Sequence, residues 1–148
     1  NGLIAAKNLS PDKVLIHDVA RPAVSEDIIT DIILAIDEET GAAPGLPISD
    51  AIWKVSDEEI EKTLDRNFIF RAQTPQGFPY SKILKAHEEQ SDHNAFDDVE
   101  LAKTIGLRVV LKTGHKDNMK ITKPEDFLKM SKILVKKVGY KIIKKVLD

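Results

Sequence analysis

The chain has 148 residues, 42% hydrophobic and 31% charged, with 22 Lys and Arg against 24 Asp and Glu for a formal net charge of −2. That length suits one domain or part of one, and the balance excludes wholesale disorder and a dedicated nucleic-acid binder with its basic excess. There is no cysteine, so there is neither a disulfide framework nor a thiolate metal site. Without a long apolar run or a charged-then-apolar leader, the expectation is a soluble cytoplasmic protein with no membrane or nucleic-acid partner.

The first residues, NGLIAAKN, read like the end of a helix already under way. Val14–Asp18, inside VLIHDVARP, is a short apolar run that predicts a strand delivering His17 and Asp18 at its end, with Arg21-Pro22 as the stop. Ser25 is a good N-cap, and Glu26 and Asp27 complement the dipole of the helix that follows. Ile28, Ile29, Ile32, Ile33 and Ile36 then form one apolar stripe to about Glu38, with Thr40-Gly41 closing the helix. Residues 42–48 carry Pro44, Gly45 and Pro47, so any strand there is expected to be short, irregular or near an edge. AIWKV and NFIFRA, separated by the charged SDEEIEKTLDR, predict two strands of an extended arm over about 50–71 joined by a polar connection.

Thr74-Pro75-Gln76-Gly77 predicts a turn and Ser81 a helix start with Ile83, Leu84 and Ala86 inward. SDHNAFDD predicts a loop; Asp97 or Asp98 starts a helix that Gly106 closes, and residues 107–112 form a strand. Thr122-Lys123-Pro124-Glu125 predicts a capping box for a helix running past Ile133, and residues 134–148 a lysine-rich terminal helix or linker. The alternation argues for an α/β layered sheet, largely parallel.

Three charged loops follow apolar strands: HDVARP, RAQTPQGF and GHKDNMKIT. In open α/β sheets ligands gather beyond the carboxyl ends of the strands, so these loops can converge. Asp18 with Asp117 or Asn118 offers the hard oxygen ligands that Mg²⁺ prefers, and Lys120, Arg21 and Arg66 offer positive charge for phosphate oxygens. Carboxylate, hard metal and cations together suit phosphoryl or nucleotidyl transfer. Asn8-Leu9-Ser10 matches a glycosylation sequon without any sign of secretion. His87 and His93 are too loosely placed for a zinc pair, and Trp53 suits dimer packing better than a stacking platform.

VLIHDVARP, LDRNFIFRAQTPQGF, FDDVELAKTIGLRV and DNMKITKPEDF, in this order, resemble the 2-C-methyl-D-erythritol 4-phosphate cytidylyltransferase family of the non-mevalonate isoprenoid pathway. The RAQTPQGF wording is most similar to the cytidylyltransferase half of bifunctional enzymes fused to a cyclodiphosphate synthase. The resemblance covers about residues 14–133. It implies a homodimeric enzyme with interlocked arms that joins CTP to methylerythritol phosphate with Mg²⁺ and releases pyrophosphate. It further implies that Asp18 contacts the polyol near the metal and that Arg21 orders the substrate loop. Lys120 would bind phosphate and stabilise the transition state. Thr74 and Arg66 would lie on or beside an arm reaching the other subunit's site, and Asp97 would bind substrate. The implied metal ligands are Asp18 and Asn118.

Two departures from the family wording leave open another polyol phosphate, such as ribitol 5-phosphate: Asp50-Ala51 stands where Asp-Thr is usual, and Phe96 where Thr commonly precedes Asp97. The family also opens on a glycine-rich loop that holds CTP, whereas the seven glycines here contain no Gly-x-Gly. The expected fold is therefore an incomplete Rossmann-like nucleotidyltransferase layered sheet with a protruding β-arm. Its N-terminal nucleotide-binding units are expected to be missing, residues 1–133 forming the partial domain. A non-catalytic dimerisation fragment is the other expectation for such a chain.

Overall fold

The computed structural model describes residues 2–89 and 95–147. Helix α1 (Gly2–Ala6) leads through a 3₁₀ turn into strand β1 (Lys13–Ile16), followed by α2 (Glu26–Ala35), β2 (Thr40–Pro47) and the pair β3 (Ile52–Ser56) and β4 (Glu59–Leu64). A 3₁₀ turn at Arg66–Phe68 precedes β5 (Phe70–Ala72), β6 (Gln76–Pro79), α3 (Tyr80–Glu89), α4 (Asp98–Thr104), β7 (Arg108–Thr113) and the long α5 (Pro124–Leu147).

The main sheet corrects the expectation of largely parallel pairing. β1 pairs antiparallel with β6, which pairs antiparallel with β2; β5 is also antiparallel to β2, and only β7 runs parallel to it. It follows that β1, β2 and β7 share one direction, and their carboxyl ends open at one rim of the sheet.

β2 is the hub of the sheet rather than an edge. Thr40 and Gly41 begin it, and the helix instead ends at a turn in which the Asp37 carboxylate accepts from Glu39 N at 2.9 Å. The prolines are tolerated because of where they fall. On the side of β2 facing β6 and β5, registered pairing runs through Ala42↔Gly77 and resumes at Gly45↔Ala72, leaving Pro44 opposite the seam. There its carbonyl accepts from Gln73 N at 2.9 Å, and a proline lacking N–H breaks no ladder.

The arm is also assembled differently. Its second strand is β4, drawn from the charged stretch, paired across a turn whose central residues Asp57 and Glu58 have φ of 49° and 67°. The NFIFRA run contributes β5 to the main sheet. Charged side chains suit β4 because both faces of the hairpin are solvated, so no apolar alternation marks it.

Two apolar layers enclose the sheet. Gly77 and Phe78 are consecutive in β6 and face opposite ways. Beneath Gly77, a Cβ would stand 2.5 Å from Ile32 Cγ2, so glycine lets α2 press Ile28, Ile32 and Ile36 against the strands. Ile33 of the predicted stripe is exposed. Phe78 on the other face joins Leu3, Ile83, Ala86, Leu101 and Leu107, and the Tyr80 hydroxyl donates to Leu3 O at 2.7 Å to hold α1 there.

Helix termini follow the expected chemistry with one shift of register. Ser25 accepts from Ile28 N and Asp97 from Glu100 N, and Gly106 ends α4 with φ of +76°. At α5 the acidic partner is Asp126, not Glu125: its Oδ2 accepts from Lys123 N and from both the N–H and the hydroxyl of Thr122. Those bonds, led by the one from Thr122 N, hold the Asp126 carboxyl below its ordinary range. Residues 91–94 of the loop expected over SDHNAFDD, His93 among them, lie outside the described residues.

Candidate active site

The rim at the carboxyl ends of β1 and β7 carries the charged residues, as the strand directions require. β1 ends at Ile16 and hands over to His17-Asp18; β7 ends at Thr113 and hands over to the loop that carries Lys120. Between them lies the irregular link from β5 to β6, residues 73–75, with a cis Thr74–Pro75 bond. Together they line a cleft of about 360 Å³, walled by His17, Asp18, Arg21, Thr74, Asp97 and Lys120 among others.

Asp18 is the centre of this cleft. Its Oδ2 lies 3.2 Å from Arg21 Nε and 3.2 Å from Lys120 Nζ. Burial pushes the Asp18 carboxyl up, but hydrogen bonds and charge from Lys120 and Arg21 outweigh it and hold the group below its ordinary value. Arg21 is itself braced: one terminal nitrogen donates to Asn118 O at 2.8 Å and the other to Ala72 O at 3.4 Å. With the guanidinium fixed beside the carboxylate, the half-exposed Lys120 is the cation free to turn from Asp18 to an incoming anionic group.

Two residues that sequence reasoning leaves without a role build the wall. The carboxamide of Gln73, 4% exposed, imitates a peptide group: its nitrogen donates to His115 O at 2.9 Å and to Asn118 O at 3.1 Å, while its oxygen accepts from His115 N at 3.1 Å. This side-chain bridge continues the sheet beyond β7 and ties the Lys120 loop to the Thr74 segment. Gly114 leaves room for it, since a Cβ there would lie 2.4 Å from Gln73 Oε1. Gln76 does the same for α4, donating to Asp97 Oδ2 at 2.9 Å and accepting from Val99 N at 3.1 Å. The AQTPQ wording is the only sequence signal for either, and periodicity does not show it.

Of the residues expected in the site, Asp18, Arg21, Asp97 and Lys120 meet here, drawn from segments far apart along the chain. Thr74, expected with Arg66 on or beside an arm reaching the other subunit, instead joins them in its own chain's cleft, because the β5–β6 link sets its hydroxyl against Asp18 N and His17. Arg66 does not: it sits on the 3₁₀ turn beside the arm, exposed, donating to Ser49 O. Asn118 is close but turned away. Its side chain is fully buried and its amide donates to Thr74 O at 2.8 Å, so it braces the wall. Its Oδ1 is the one buried side-chain oxygen or nitrogen among the described residues that lacks a partner.

The fit to Mg²⁺ is accordingly limited. Among the described residues no cluster of three or more His, Cys, Asp or Glu could hold a metal. Of the carboxylates that wall the cleft, Asp97 is engaged by Gln76 and by Glu100 N and Asp98 by His87, which leaves Asp18 as the candidate ligand. One such ligand fits an ion that keeps its waters and arrives with phosphates rather than one caged by protein. The pairing with Asn118 is not offered by this geometry.

The family model for 2-C-methyl-D-erythritol 4-phosphate cytidylyltransferase matches residues 1–136. A bifunctional enzyme IspD/IspF of Ruegeria sp. (strain TM1040) is 46% identical over 134 residues, covering 90% of this chain and 35% of that protein. A 2-C-methyl-D-erythritol 4-phosphate cytidylyltransferase of Cereibacter sphaeroides (strain ATCC 17023) is 42% identical over 139 residues, 94% of this chain and 61% of the relative. Among solved structures, the 2-C-methyl-D-erythritol 4-phosphate cytidylyltransferase of Thermus thermophilus superposes with a TM-score of 0.80 at 30% identity, covering 90% of this chain and 67% of that one. The chain thus spans between about a third and three fifths of the length of these curated relatives.

Proposed function

We propose, since the chain belongs to the 2-C-methyl-D-erythritol 4-phosphate cytidylyltransferase family, that it forms the polyol-phosphate side of an enzyme joining CTP to methylerythritol phosphate with release of pyrophosphate. The observation that carries this reading is the meeting of Asp18, Arg21 and Lys120 within 3.2 Å contacts at one rim, from two motifs far apart in the sequence. The phosphate of the polyol attacks the α-phosphorus of CTP in line, and the protein's task is to position and neutralise rather than to form bonds. Lys120 leaves Asp18 to bind phosphate oxygens and offset charge as it develops. Asp18, released, accepts hydrogen bonds from the polyol. Arg21, held by two carbonyls, keeps Asp18 ionised throughout. A Mg²⁺ carried in on the triphosphate would meet Asp18 as its ligand from this chain and would supply further charge neutralisation.

Arg66 completes the site from a neighbouring subunit. The hairpin β3–β4 lies outside the main sheet and exposes Trp53, Val55 and Ile60. An isolated two-stranded hairpin is marginal in water, so a second copy covering it fits the exposed side chains. The reading makes this a homodimer through the arm, and the composition suits a cytoplasmic enzyme. No helix among the described residues is long and apolar enough to cross a membrane.

The names of the relatives favour methylerythritol phosphate over ribitol 5-phosphate, which Ala51 and Phe96 keep as a competitor. A chimera in which this chain replaces the matching segment of the Cereibacter sphaeroides relative can be assayed with CTP and each polyol phosphate. Preference for methylerythritol phosphate is expected; clear preference for ribitol 5-phosphate would overturn the assignment. The chain alone, without a Gly-x-Gly, serves as a non-catalytic fragment in this reading.

A further inference from the structure

We infer that His17 is a positioning residue that fixes the Thr74 hydroxyl as a hydrogen-bond acceptor toward the cleft. The cleft then has an acceptor wall for polyol hydroxyls and a separate donor wall for phosphate. The inference deepens the proposed function and rests on it for the identity of the ligand, but not for the hydrogen-bond assignment.

The assignment follows from counting protons. His17 Nε2 lies 3.0 Å from Arg21 O. A carbonyl can only accept, so Nε2 carries the proton of the neutral ring, which leaves Nδ1 as a bare acceptor. Nδ1 lies 2.9 Å from Thr74 Oγ1, so the Thr74 hydroxyl donates to it. The same oxygen already accepts from Asp18 N at 3.0 Å. A hydroxyl has one proton and two lone pairs, and here the proton and one lone pair are committed. What Thr74 presents to the cleft is the remaining lone pair.

That result separates the two kinds of substrate group. A phosphate oxygen cannot receive a hydrogen bond from Thr74, whereas a hydroxyl can give one. The Asp18 carboxylate beside it is likewise an acceptor, and the two share a backbone link through Asp18 N. Lys120 and Arg21 both reach Asp18 Oδ2 at 3.2 Å, and they are the cations that border the cleft. Polyol hydroxyls therefore belong against Thr74 and Asp18, and the phosphate belongs against the cations. Without His17 the Thr74 proton would be free to turn toward the cleft and blur the division.

The test uses the 148-residue chain with ¹⁵N-labelled histidine, at a fixed pH where the imidazole is neutral. Long-range correlations should show His17 protonated at Nε2, with an Nδ1 signal displaced by an accepted hydrogen bond. Thr74→Val should move that signal to the unbonded position, and Thr74→Ser should restore it. A proton on Nδ1, or an Nδ1 signal indifferent to Thr74→Val, would overturn the assignment.

Titration with methylerythritol 4-phosphate and with inorganic phosphate, followed by amide shifts, tests the consequence. Thr74→Val should weaken the polyol phosphate by about two- to tenfold, the range of one neutral hydrogen bond, and leave inorganic phosphate unchanged. His17→Leu should weaken the polyol phosphate similarly and tighten inorganic phosphate. His17→Asn, whose Oδ1 can replace Nδ1 as acceptor, should restore the original ratio. Loss of inorganic phosphate binding in Thr74→Val would contradict the acceptor role. If the wild-type chain bound phosphate but showed no preference for the polyol, the substrate reading would fail while the ring signals still decided the role of His17.

Discussion

Asp18 illustrates how one side chain can serve both stability and function. Its carboxyl lies below the ordinary value of 3.8, burial being outweighed by Lys120 and Arg21. A depressed folded value means that the unfolded chain binds the proton first. The ion pairs therefore contribute fully above the ordinary carboxylate range, and their contribution is lost as pH falls through the depressed value. Urea unfolding between about pH 6 and 2 should show that acid loss shrinking in Asp18→Asn; an unchanged acid limb would mean the cations do not stabilise Asp18. Asn118 acts at the same scale from behind the wall. Asn118→Ala removes the donor to Thr74 O and should cost about 1–3 kcal/mol, the scale of an orphaned buried acceptor, read as a lower denaturant midpoint with unchanged slope. Arg66 is the opposite case, exposed and remote from its own cleft. In the chimera, Arg66→Lys should weaken the polyol phosphate by about 1–3 kcal/mol, because lysine cannot reproduce a bidentate guanidinium contact, with CTP barely affected. Steady-state KM values for both substrates check it.

At the scale of elements, close approach decides more than propensity. The α2 helix lies on β6 because position 77 has no Cβ, so Gly77→Ala should destabilise by about 1–3 kcal/mol through overpacking against Ile32 and Ile36, measured by chemical unfolding. The parts of the fold visible in the sequence are those with a one-dimensional signature. The isoleucines of α2, the Ser25 and Asp97 caps and the Gly106 stop all act within a few residues of themselves. β2 is hidden because its prolines read as breakers, and only the seam between β5 and β6 makes Pro44 harmless. β4 is hidden because a strand solvated on both faces carries no alternation. Asp18, Arg21 and Lys120 are legible as motif residues at strand ends. Gln73, Gln76 and the inward turn of Asn118 are not, since each is defined by partners far away along the chain.

For the whole molecule, the proposed function divides the chemistry between two copies and between two parts of the polypeptide. Mixing an Arg66→Ala chimera with an Asp18→Ala chimera tests the first division: in a shared-site dimer one site carries both lesions and the other neither, so activity partly returns. No recovery, with mixed dimers shown to form, would place Arg66 in its own subunit's site. The second division is the central one, that these 148 residues supply the polyol-phosphate side of the site and not the cradle for the triphosphate. Calorimetric titration of the chain with CTP tests it most directly. No more than very weak binding is expected, because no Gly-x-Gly is present to wrap backbone N–H groups around the phosphates; micromolar CTP affinity would overturn this division.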